Sequence, residues 1–184
     1  PRFACSAAAV GGAAGPGWSA VGREPASGWS AVEPLGTTGR RGRHRGTGRV
    51  GVGFAQGFGL QAGALASSHA HDAHNIVVIG MTDEDMAAAA NRLREIGGGQ
   101  VVVMDGRVIA ELPCPIGGHL SDLSFEEVAE RTRILEEAAG ELGTTPASPF
   151  MAMPVRALSV SAELKLTDRG LVDVNRFELV PLEV

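Results

Sequence analysis

The sequence predicts an α+β fold: a largely antiparallel sheet with two packed helices, preceded by a disordered N-terminal segment. Three observations carry this. Short β-type runs follow one another, one pair joined by the two-residue hairpin signal Asp105-Gly106. Two longer stretches show helical spacing between a capping residue and a glycine stop. A break in composition near residue 42 separates a Gly/Ala/Pro/Ser/Arg-rich start from a well-patterned remainder. Runs of strands interrupted by helices favour α+β layers over a parallel sheet.

The first unit, residues 1–42, has no helical or strand periodicity, and a segment of that composition buries too little apolar surface to offset chain entropy. Both tryptophans lie in a repeated Gly-Trp-Ser-Ala-Val, Gly17–Val21 and Gly28–Val32, but two five-residue copies do not make a repeat fold. The basic run Arg40-Arg41-Gly42-Arg43-His44-Arg45 reads as a solvated linker in preference to a phosphate-binding arm. The start, Pro1 to Val10, lacks the apolar core of a signal peptide, and Pro1 in place of Met suggests a fragment.

In the second unit, residues 43–184, Val50–Phe54, Ala64–Ser68 and Asn75–Ile79 read as strands. Thr82 caps a helix with Asp83, Glu84 and Asp85 in its first turn, where the helix dipole favours acids. Met86, Ala89, Ala90, Leu93 and Ile96 form one buried stripe, and Gly97-Gly98-Gly99 ends it. Val101–Met104 and Val108–Ala110 form the hairpin, which Pro113 and Pro115 end. Ser124 opens the second helix with a Ser-x-x-Glu capping box completed by Glu127, and this helix runs to about Leu142 and Gly143. Phe150-Met151-Ala152-Met153 reads as apolar core before a ligand pocket. Alternation from Leu158 to Leu166 predicts a strand with one wet face. Thr167–Gly170 turns the chain into Leu171–Val174, and Phe177–Val184 is a last extended segment.

The formal charge of -5 implies no general affinity for nucleic acid, and no apolar stretch is long enough to span a membrane. With only Cys5 and Cys114, no disulfide framework is expected, which fits a reducing cytoplasm.

Candidate chemistry concentrates in His69-Ala70-His71-Asp72-Ala73-His74-Asn75, which holds three of the five histidines. Imidazole and carboxylate move protons and bind metals near neutral pH. On a strand, His69 and His71 would share a face, as in a two-histidine metal arm, with His74 and Asp72 as further ligands or a proton relay. The plainer alternative is a polar strand end bonded to nearby backbone. The His-x-His-x-Asp-His order of metallo-β-lactamase-like hydrolases is absent, as is the His-x-Glu…Pro-Cys-x-x-Cys signature of zinc nucleobase deaminases. So are the Gly-x-Ser-x-Gly elbow and the phosphate loop. Gly51 to Gly59 reads as sheet bulges before a nucleotide fingerprint.

From Arg43 onward the chain resembles the C-terminal domain of bacterial adenine deaminase of the amidohydrolase type. The matching stretches include Arg43-His44-Arg45-Gly46-Thr47-Gly48, Gly57-Phe58-Gly59-Leu60 and Gly63-Ala64-Leu65-Ala66-Ser67-Ser68. They continue through Ala70-His71-Asp72-Ala73-His74-Asn75-Ile76-Val77-Val78-Ile79-Gly80, Pro115-Ile116-Gly117-Gly118 and Lys165 to Val174, about three quarters of the chain in order. The resemblance implies hydrolysis of adenine to hypoxanthine and ammonia in purine salvage, with Mn2+ or Fe2+ activating the attacking water. It implies that the metal ligands belong to an amidohydrolase barrel ahead of this domain. Such a barrel needs about 250 residues, so residues 1–42 cannot supply it and the chain alone is expected to bind no metal and to be inactive. Those residues do not match the family, and their bias fits an out-of-frame segment; barrel-coding DNA upstream would support this and its absence would refute it. His69 departs from the family pattern, which has an apolar residue there. The expected catalytic set is therefore His71, Asp72, His74 and Asn75: a histidine to shuttle protons, Asp72 to orient it and Asn75 to bond the relay or the purine edge. Which residues bind substrate is left open, and a homo-oligomer is compatible with the sequence. Two rival readings are a non-catalytic binding domain that complements a separate barrel subunit and a free-standing metallohydrolase.

Overall fold

The computed structural model describes residues 36–41, 50–55, 57–71, 73–161 and 163–181. The repeated Gly-Trp-Ser-Ala-Val lies outside them, as do residues 1–35 and 42 of the segment expected to be disordered and Arg43 to Arg45 of the basic run. The fold is α+β. Its main sheet has six strands, all antiparallel, in the order β2-β1-β4-β3-β5-β6: β1 Gly36–Arg41, β2 Val50–Ala55, β3 Ala64–Ser67, β4 Ile76–Gly80, β5 Gly99–Met104 and β6 Arg107–Pro113.

Strand β1 is a departure from expectation, since its Gly-Thr-Thr-Gly-Arg-Arg carries no apolar alternation. It pairs with β2 on one side and β4 on the other, so its backbone ladders define it in place of side-chain pattern. The basic run therefore contributes Arg40 and Arg41 to a strand instead of to a linker.

Alternation within the strands sorts side chains to two faces. Ala64, Ala66, Ile76, Val78, Val101 and Val103 face α1, Asp83–Glu95, and bury Met86, Ala89, Ala90 and Leu93. Leu65, Val77, Ile79 and Val102 face the other way, onto Leu135, Ala138 and Ala139 of α2, Phe125–Glu141. The sheet is thus covered on both faces at its centre, which is why β3 and β4 are buried along their whole length.

The local signals behave as their chemistry requires. Thr82 accepts from the Asp85 N–H, and Ser124 and Glu127 form the reciprocal capping box. Past α1, Gly98 N–H donates to the Leu93 carbonyl at 2.8 Å and Gly97 N–H to that of Arg94, the paired bonds of a left-handed helix stop. Asp105 and Gly106 both take positive φ, 51° and 72°, as a tight hairpin turn needs. Buried Asp85 accepts from the Gly106 N–H at 2.7 Å and ties that turn to the start of α1.

Three further corrections follow, two in the second half of the chain and one in β2. Pro149–Val155 forms a third helix, α3, with Pro149 in its first turn, burying Phe150 and Met153 but leaving Met151 exposed. The strand expected from Leu158 shrinks to β7, Leu164–Thr167. Turns replace its first half: Ala157 N–H donates to the Pro154 carbonyl, Ser161 N–H to that of Leu158, and Val160 is exposed. β7 then pairs with β8, Gly170–Asp173, and β8 with β9, Glu178–Val180, as a separate three-stranded meander. The glycines of β2 are not bulges, because its register with β1 runs unbroken. A Cβ at Gly51 would lie 1.6 Å from the Thr167 carbonyl oxygen, so this glycine admits the β7–β8 turn against the sheet.

Candidate functional site

The histidine-rich segment is the loop from β3 to β4, with its entry and exit fixed by the core. Ser67 ends β3 and Asn75, itself buried, immediately precedes β4. Between them Ala70 is fully buried and anchors the loop, and His74 N–H donates to the Ala70 carbonyl at 2.6 Å. His74 takes φ 47°, a left-handed conformation that few non-glycine residues adopt and that reverses the chain toward β4.

Ser68 joins this loop to two others. Its Oγ accepts from the Gly99 N–H at 2.8 Å and donates to the Gly118 carbonyl at 2.6 Å. Gly118 belongs to a tight turn closed by the Ile116–Leu120 bridge, with Gly117 and Gly118 at φ 63° and 75°. That turn presents His119. The His69 Nε2–H donates to the His119 carbonyl at 3.0 Å, and since a carbonyl only accepts, Nδ1 is left to accept from the Gln100 amide, a long contact of 3.5 Å.

Four imidazoles therefore meet at this end of the sheet. His74 and His119 have ring centroids 3.9 Å apart, His71 and His74 5.2 Å, and His69 and His119 5.4 Å. His71 is exposed, while the other three are half-buried. Of the four residues expected to act, the structure brings His71 and His74 together and sets Asn75 beside them in the chain; Asp72 lies outside the described residues. The two-histidine arm of His69 and His71 does not form, because β3 ends at Ser67 and each ring turns to a different partner.

His119 is the residue that sequence reading missed. It is an isolated histidine far from the cluster, and the only local hint is the Gly117-Gly118 turn that carries it.

His74 and His119 do not fit a shared resident metal. Imidazoles sharing an ion at nitrogen distances of about 2 Å keep their ring centroids roughly 5 Å apart or more, and His74 and His119 are closer than that. Among the described residues no three His, Cys, Asp or Glu side chains converge to hold one.

Two other features among the described residues carry no competing chemistry. Cys114 is buried, and burial pushes its thiol above the ordinary range, away from the reactive thiolate. An open groove of about 1010 Å³ between β6 and α2 is lined by Arg92, Glu111, Glu130 and Arg131. Several of its charges are already engaged: Arg92 grips both oxygens of Glu111 at 2.7 and 2.8 Å, and Glu130 pairs with Arg133. Among the described residues no helix is long and apolar enough to cross a membrane.

A six-stranded antiparallel sheet clad by helices, with an imidazole-lined loop at one end, defines an α+β domain able to contribute proton-handling groups. The family model for the adenine deaminase C-terminal domain matches residues 41–178, and the chain belongs to that family. It is 53% identical over 138 residues to the adenine deaminase of Brucella anthropi and 54% identical over 138 residues to that of Brucella abortus; each match covers 75% of this chain and 24% of the relative. An adenine deaminase of Clostridium botulinum is 52% identical over 142 residues, 77% of this chain and 24% of the relative. The chain thus spans about a quarter of the length of the curated relatives it matches.

Proposed function

We propose that this chain provides the C-terminal domain of an adenine deaminase, which converts adenine and water to hypoxanthine and ammonia in purine salvage in the cytoplasm. The observation that carries the reading is the meeting of His71 and His74, 5.2 Å apart between ring centroids, on a loop that lies within the family match. The functional unit is residues 43–184, to whose sheet β1 adds a strand from the first unit.

In this reading the loop is presented to a separate amidohydrolase barrel. Mn2+ or Fe2+ held there would activate water. The residues described here have other tasks. His71 or His74 takes a proton and returns it to the departing amine; Asp72 orients the imidazole that does so. Asn75 donates a hydrogen bond to the relay or to the purine edge. The loop also screens the reacting atoms from bulk water, which strengthens these polar interactions. In this reading the chain alone turns over no adenine, because the metal and its ligands belong to the barrel.

The test is to purify the chain, measure bound metal and assay ammonia release from adenine, alone and with a separately supplied barrel domain from a relative. Activity that appears only with the barrel is expected. A metal-loaded chain that deaminates adenine unaided overturns the division of labour. A complemented pair that binds but gains no activity identifies a non-catalytic interaction domain instead. In a complete relative, replacing the residue equivalent to His71 by Ala should cut turnover by roughly 10²-fold or more, as loss of a proton-transfer group does.

A further inference from the structure

Four of the chain's five histidines gather on two neighbouring loops, although His119 lies 45 positions beyond His74. The tightest contact joins those two. Their ring centroids are 3.9 Å apart and their planes cross at 72°, an edge-to-face arrangement. The backbone is pinned at both positions. His74 is fixed by its left-handed backbone and its bond to Ala70. His119 is fixed by the Ile116–Leu120 turn, by Ser68 on the Gly118 carbonyl, and by His69 on its own carbonyl. Drawing the two loops apart would break bonds that include a buried one.

A protonated imidazole directs a positive edge at the face of its neighbour, and a neutral neighbour welcomes it through its ring electrons. A second proton would set two positive charges in contact at half-buried positions. Among the described residues, the imidazoles packed on the pair are His71, on His74, and His69, on His119. Both add positive charge when protonated. Asp72 lies outside the described residues, and Asp122 follows on the His119 loop. We propose that His74 and His119 act as one unit that carries a single proton across the neutral range, with His119 as the positioning residue that orients His74 and sets its proton affinity. The pairing stands on geometry alone; its catalytic consequence rests on the reading of His74 as a relay group.

Histidine ring-proton NMR on the intact 184-residue chain reads the pairing directly. The His74 and His119 signals should each titrate in two steps, the second proton held about tenfold or more weakly than the first. In His119→Gln the His74 signal should collapse to a single step. Should that variant fail to fold, His74→Gln reports the same coupling through His119, since coupling is reciprocal. Single, independent steps in the unaltered chain overturn the pairing. With a complementing barrel, His119→Gln should shift the acid limb of the kcat/KM profile while leaving KM at optimal pH unchanged. Coupled NMR titration with an unmoved pH profile would overturn the positioning role and leave the pair without a part in turnover. Coupled titration with no ammonia release from any pairing would instead refute the deaminase reading and spare the pair.

Discussion

Ser68→Ala is the substitution whose cost the structure allows to be worked out most directly. The hydroxyl is fully buried and serves two partners on different segments, accepting from the Gly99 N–H at 2.8 Å and donating to the Gly118 carbonyl at 2.6 Å. Each bond contributes about 1 kcal/mol net, but stranding a buried donor costs about 1–3 kcal/mol because no water replaces the lost partner. Gly99 and Gly118 are both buried, so the change should cost about 2–4 kcal/mol. For a domain of this size that corresponds to a Tm lower by roughly 6–12 °C, followed by circular dichroism and by urea titration at constant m. Ser121→Ala is the control. Its hydroxyl accepts one long bond of 3.3 Å from the Leu123 N–H at a half-buried position, so it should cost under about 0.5 kcal/mol. Equal Tm values for the two variants would refute the argument that Ser68 ties the histidine loop to the turn carrying His119.

Other consequences can be measured with the same purified chain. The guanidinium of Arg92, bonded to both oxygens of Glu111 and aided by Arg131, holds the Glu111 carboxyl below the usual carboxylate range. The folded value is the depressed one, so the pair's contribution is complete above the ordinary carboxyl value of 4.5 and is lost as pH falls through the lower folded value. Glu111→Gln should therefore cost about 1 kcal/mol at pH 7 and progressively less as the pH is lowered below 4.5, read by urea unfolding along that series. Gly99→Ala should cost roughly 3 kcal/mol or more, since a Cβ there would lie 1.9 Å from the Leu112 carbonyl oxygen. Gly106→Ala, also at positive φ but with nothing within 4 Å, should cost only about 1–2 kcal/mol; equal losses would mean that backbone strain and not crowding sets both. In a Cys5→Ser background, Cys114 should react with a thiol reagent only after denaturation, and fast labelling of the folded chain would contradict its burial and raised thiol value.

Local chemistry was legible wherever it acts over a few residues. The Thr82 and Ser124 caps, the glycine stop after α1 and the Asp105-Gly106 turn each depend on neighbours within a turn of chain, and each forms as its sequence specifies. The α+β class and the family followed from the same strings. Pattern misled where the partner is remote. Gly36–Arg41 becomes a strand because two neighbours offer it free backbone groups, and the alternation from Leu158 yields to the turns that close α3. The site divides in the same way. His71 and His74 could be singled out because they are close in sequence, and the loop that presents them follows from buried Ala70 and Asn75. That His119 completes the cluster was decided only by tertiary structure. Ser68, Gly99 and Gly118 are distant along the chain, and only the folded sheet brings them close enough for one hydroxyl to bridge. Periodicity and capping record forces within a segment, whereas the meeting of two loops depends on packing between segments, which no single stretch of sequence contains.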